Sequence, residues 1–149
     1  LYQSLEERRM AIVDLSWSRN YKSGHVPGAW YSTRAALSKS LSELPMNEKL
    51  VLISEDGILA KLSAPEISEL TNSPVFVLQG GMSAWQNLGF PQTVGFENLA
   101  HEPNDHYLRA YDRDTGVEQA MQNYLEWEIG LVDQVERDGD ARFNVIRAC

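Results

Sequence analysis

With 149 residues, 43% of them hydrophobic and 23% charged, the chain has the length and composition of one globular domain, which excludes wholesale disorder. The formal net charge is −8, and no cluster of Lys and Arg offers a phosphate-tracking surface, so nucleic acid is set aside as a partner. No apolar run approaches the roughly 20 residues that cross a bilayer, so a membrane partner is set aside too, and the single cysteine, Cys149, excludes an internal disulfide and a multi-cysteine metal site.

The remaining expectation is a soluble, acidic domain of the cytoplasm, where one free thiol is at home. The chain opens on Leu1 rather than Met, from which a fragment of something longer is expected.

In chain order, Ala11-Ile12-Val13-Asp14-Leu15 is a short apolar run and predicts a buried strand. A polar helical turn capped by Ser16 or Ser18 is predicted next. Gly24-His25-Val26-Pro27-Gly28 then breaks any helix, since Pro27 fixes its own φ and the glycines free theirs. Ala29-Trp30-Tyr31 predicts a brief strand, and Arg34 to Leu44 a helix. Leu50-Val51-Leu52-Ile53 predicts a second buried strand. Pro65 divides the stretch Gly57 to Leu70 into two predicted helices, the second with Pro65 in its first turn.

Val75-Phe76-Val77-Leu78 predicts a third main strand, ended by Gly80-Gly81, and Met82 to Leu88 a helix stopped by Gly89 and Pro91. Short apolar strands alternating with helices call for a parallel sheet covered on both faces. Residues 92 to 116 are polar and read as a long connection. Val117 to Glu136 predicts one long helix, with Met121, Leu125, Val132 and Val135 on an apolar stripe and Glu128 at its edge. Phe143 to Ile146 predicts a closing strand or docked tail.

Three patches, in this order, resemble the rhodanese family of sulfurtransferases. The first is Asp14 closing a strand, then Tyr21-Lys22-Ser23-Gly24-His25-Val26-Pro27-Gly28-Ala29. The second is the strand Leu50 to Ile53 running into a loop at Ser54. The third is Val75 to Leu78 followed by Gly80-Gly81 and Trp85, with Gly89 and Pro91 trailing. The resemblance covers about residues 8 to 95. It implies an α/β, three-layer fold with a central parallel sheet flanked by helices, here with a C-terminal helical extension. The domain is expected over residues 1–95, and residues 96–149 are expected to form a connecting segment and a helix packed on it. Asp14, Gly24, His25, Pro27, Gly28, Gly80, Gly81 and Trp85 are then structural positions of the family pattern.

The loop Ser54-Glu55-Asp56-Gly57-Ile58-Leu59 fills the place of the family's active-site loop. A loop that leaves a strand and starts a helix points several backbone N–H groups at one place and makes an anion cradle. In the family the cradle surrounds a cysteine whose thiolate takes a sulfane sulfur from a donor such as thiosulfate. Here Ser54 stands at that position. A hydroxyl is almost wholly un-ionised at neutral pH without a paired base, and oxygen cannot carry the sulfur as a stable persulfide does. Glu55 and Asp56 would also repel an anionic donor where basic side chains are expected.

Other assignments follow from the chemistry of single residues. His25 is the one base to weigh for a Ser54 nucleophile, and the family pattern instead makes it a fastening of its turn. Asp14 and Arg34 are expected to pair. Ser54 is expected to cap the helix that follows it. Trp30, Trp85 and Trp127 are expected in the core or lining a groove. His101 and His106 lack metal-site spacing and are expected to face solvent.

The segment around Tyr124 to Glu128, with Gln134 and Asp138 following, is similar to the end of bacterial proteins built from several rhodanese domains in tandem. The resemblance therefore implies a catalytically inactive domain of a multidomain thiosulfate sulfurtransferase, with a structural, regulatory or anion-sensing role. No catalytic residue, metal or cofactor is expected. Its partners would be sibling domains and, at the loop, a small anion. Two alternatives stand beside it: an active sulfurtransferase using Cys149 or a partner domain's cysteine, and a pure protein-interaction module.

Overall fold

The computed structural model describes residues 10–45 and 49–140, so Cys149 and the strand or tail expected over Phe143 to Ile146 lie outside the described residues. The described residues fall into two compact units, divided between His106 and Tyr107. None of their helices is long and apolar enough to cross a membrane.

The first unit is built on five parallel strands: β1 (Met10–Asp14), β2 (Trp30–Tyr31), β3 (Lys49–Ile53), β4 (Val75–Val77) and β5 (Asn98–Leu99), in the order β4-β3-β1-β2-β5. Central β1 pairs Val13 with Trp30 on one side and Met10 to Asp14 with Lys49 to Ile53 on the other. Side chains alternate across a strand, and both faces of this sheet are buried. Ala11, Val13, Leu50 and Leu52 enter one apolar cluster, and Ile12, Val51 and Ile53 enter the other. That double burial explains why β1 and β3 read as unbroken apolar runs rather than alternating ones.

Helices α2 (Arg34–Ser40) and α3 (Ile58–Leu70) cover the first face through Leu37, Ala60 and Ile67. Helices α1 (Ser18–Ser23) and α4 (Gly81–Asn87) cover the second through Tyr21, Met82 and Trp85. The result is the expected three-layer α/β fold.

Several local expectations are corrected. Pro65 does not divide its segment: α3 is one helix with Pro65 inside it. The missing N–H at Pro65 costs one helical hydrogen bond, and burial of Ala60, Ser63 and Ile67 on one face holds the helix through it. Residues 92 to 116 are more than a connection, because β5 joins the sheet edge there. Its two residues are too few to show a period. What fixes it is the Tyr21 hydroxyl, 2.6 Å from Ala29 O and 3.0 Å from Asn98 O. Trp17, not a serine, is the N-cap of α1, and the Ser18 N–H is taken instead by the Asp105 carboxylate at 2.7 Å.

In the second unit, α5 (Val117–Asp138) is the expected long helix, bounded by left-handed Gly116 and Gly139. Met121, Leu125, Val132 and Val135 of its apolar stripe are exposed, and Trp127 with them. Within that unit α5 packs on the 3₁₀ turn Ala110–Asp112, a partner too short to cover a 22-residue helix. Glu128 sits inside the stripe and accepts a hydrogen bond from the Tyr124 hydroxyl at 2.7 Å.

Candidate functional site

Parallel α/β sheets bind ligands beyond the carboxyl ends of their strands, and the loop from Ser54 to Ile58 leaves β3 at that edge. The packing around it explains the glycines. Gly57 has φ +82°, and a Cβ there would meet Leu78 O at 3.1 Å; a Cβ on Gly81 would meet the Ser54 carbonyl. Only glycine at both positions lets the loop lie directly against the start of α4. Backbone bonds then stitch it down: Met82 N–H donates to Ser54 O at 3.0 Å, and Ser83 N–H to Glu55 O at 2.9 Å.

Within this frame two loop side chains accept backbone N–H groups at the start of α3. Ser54 is buried, and its Oγ accepts the Ala60 N–H at 3.2 Å. It is therefore not the N-cap expected of it, a position held by Gly57, but it performs part of a cap's work from three residues further out. Asp56 Oδ1 accepts the Ile58 N–H at 2.9 Å. Glu55 reaches sideways, its Oε2 accepting from Asn20 Nδ2 at 2.8 Å. Ile58 is 61% exposed and brings no donor; Leu59 packs inward on the first apolar cluster. The Asp56 carboxylate thus takes one N–H that an open cradle would leave bare.

His25 does not serve Ser54. It is fully buried, stacked on Tyr21 with centroids 3.7 Å apart. Its Nδ1 is 2.8 Å from Tyr21 O and its Nε2 is 3.4 Å from the Glu97 carboxylate. Glu97 also accepts the Gly28 N–H at 2.9 Å, so it clamps the turn that Gly28 makes at φ +79°. The turn is fastened as expected, while Glu97 was missed because it lies in the segment read as connection. Burial pushes the Tyr21 phenol up to about 12.

Asp14 is fully buried at the end of β1, with Oδ1 accepting the Ser16 N–H at 2.9 Å. Desolvation outweighs the Ser16 hydrogen bonds and raises its pKa. The expected pair with Arg34 is not made: Arg34 lies 3.3 Å from Glu66 instead, both side chains being solvated on α2 and α3. Asp105, also missed, is desolvated, but the hydrogen bonds from Ser18 prevail and lower its pKa. His101 is not solvent-facing, since its Nε2 accepts the Thr33 N–H at 3.1 Å. Trp85 is buried, donating from Nε1 to Pro91 O at 2.7 Å, and Trp30 packs on the first cluster. Among the described residues no group of His, Cys, Asp and Glu could hold a metal ion.

Comparison with known proteins agrees with this geometry. The family model for the rhodanese-like domain matches residues 1–88. The thiosulfate sulfurtransferase GlpE of Shewanella oneidensis is 29% identical over 85 residues, which are 57% of this chain and 84% of that protein. The protein of the same name from Actinobacillus pleuropneumoniae is 21% identical over 90 residues, covering 60% of this chain and 83% of that one. A crystal structure of thiosulfate sulfurtransferase from Pseudomonas aeruginosa superposes with a TM-score of 0.90 at 39% identity, over 98% of this chain and 28% of that chain. This chain thus spans little more than a quarter of that protein's length. Fold and matched sequence agree, and the chain belongs to the rhodanese-like domain family.

Proposed function

We propose that this is a catalytically silent rhodanese-homology domain of a longer, tandem-domain thiosulfate sulfurtransferase, with a structural role toward its sibling domains. One observation carries the reading: Ser54, which the resemblance puts at the family's nucleophile position, is buried with its Oγ engaged by the Ala60 N–H. A hydroxyl held as an acceptor, with no base beside it among the described hydrogen bonds, has no route to the alkoxide that attack on sulfur would need. The Asp56 carboxylate at the start of α3 supports the same reading and weighs against anion sensing, because it takes an N–H that an incoming anion would use. Sibling domains as partners are supported by the length of the Pseudomonas aeruginosa relative. A cytoplasmic setting belongs to this reading and is supported by the single cysteine.

Intact-mass measurement after incubation with thiosulfate tests the proposal. The expected result is an unchanged mass. A gain of one sulfur atom, removed by cyanide and absent in Cys149→Ser, would instead establish an active sulfurtransferase that uses Cys149.

A further inference from the structure

Helix α5 carries Met121, Tyr124, Leu125, Val132 and Val135 on one face, with Ile129 at its edge. Their exposure runs from 43% at Val135 to 79% at Ile129. A single helix in water is held chiefly by the packing of such a face, and a contiguous exposed apolar stripe of this kind marks an interaction surface. The polar residues say which partner fits. Residues 117–138 hold six carboxylates and one arginine, and Glu118 and Glu136 lie along the border of the stripe. A second copy of the helix would set acid against acid. The stripe calls for an apolar groove bordered by Lys and Arg.

We infer that the apolar face of α5 is an interdomain surface, occupied by a basic-rimmed groove of another domain in the same longer polypeptide. This rests on the tandem reading proposed above. The relative whose structure superposes over 98% of this chain is more than three times its length, so chain that could supply such a groove exists beyond the matched part there. Glu128 fits the role: its bond to the Tyr124 hydroxyl fixes an acceptor inside the stripe, where a partner's basic side chain would meet it.

Hydrogen–deuterium exchange over residues 121–135 tests this in the full-length native polypeptide and in the 149-residue chain. The expected result is exchange slowed about tenfold or more in the longer polypeptide, restored to the fast rate by Val132→Glu and left slow by Glu126→Lys on the opposite face. Equal exchange in the two polypeptides would overturn the inference while leaving the tandem reading intact. Sedimentation showing a dimer of the 149-residue chain that Val132→Glu dissociates would overturn it in favour of a second copy. A native polypeptide no longer than 149 residues would remove both the inference and the reading beneath it.

Discussion

Asp56 and Ile58 form a closed pair: the Asp56 carboxylate, just before α3, accepts the N–H of its first residue, Ile58, at 2.9 Å. A negative charge at a helix N-terminus is stabilising, and Asp56 supplies one at the start of α3. Under the function proposed above, the serine at position 54 and the carboxylate at position 56 are separate features of the loop, and they can be altered separately.

The first prediction follows. Ser54→Cys alone should transfer little sulfur from thiosulfate, because the new thiol shares its loop with the Asp56 carboxylate. Ser54→Cys combined with Asp56→Gly should exceed the single variant by about tenfold or more, the range expected when one misplaced charge leaves a site. Steady-state thiocyanate formation measures both. Equal rates would show that the Asp56 carboxylate does not hinder sulfur transfer.

Asp14 and Asp105 predict opposite limbs in the dependence of stability on pH. The Asp14 carboxyl has a raised pKa in the fold, so the native state binds more protons than the unfolded one. Its contribution is present below the ordinary carboxylate value of 3.8 and is lost as pH rises through the raised folded value. Asp105 has a lowered pKa; its contribution is present above 3.8 and lost as pH falls through the depressed folded value. Urea melts across pH should show Asp14→Asn flattening the decline on the upper side. Asp105→Asn should flatten the fall on the acid side. Identical pH profiles for wild type and both variants would contradict these assignments.

Pro65 gives a prediction about stability alone. It is exposed in the interior of α3, where its ring removes one backbone bond. Pro65→Ala should stabilise the fold by about 1–2 kcal/mol, less than the full helix-propensity difference because proline also restricts the unfolded chain. A higher urea midpoint at unchanged slope is the expected observation. A lower midpoint would mean that the ring makes a contact worth more than the missing bond.

The features visible in the sequence were those with several residues behind them. The runs around Ala11 to Asp14 and Leu50 to Ile53 are long enough to mark strands buried on both faces, and Gly80-Gly81 marks the close approach that the Ser54 carbonyl requires. The loop could be placed because β3 before it and Gly57 within it fix its start and its helix. What the sequence hid depends on long-range partners. Asn98-Leu99 is a strand because Tyr21 and Tyr31 hold it, and Glu97 and Asp105 matter because the chain returns them to residues 69 and 87 positions away. The stripe on α5 was read correctly as a stripe, but periodicity cannot say whether such a face meets a core or lies exposed.

The central claim is tested most directly by turnover of thiosulfate and cyanide to thiocyanate, measured for this chain beside its Cys149→Ser variant. The account predicts no thiocyanate above the buffer rate from either protein. Turnover by the unaltered chain that is abolished by Cys149→Ser would contradict it, and would make the one thiol of this sequence its nucleophile.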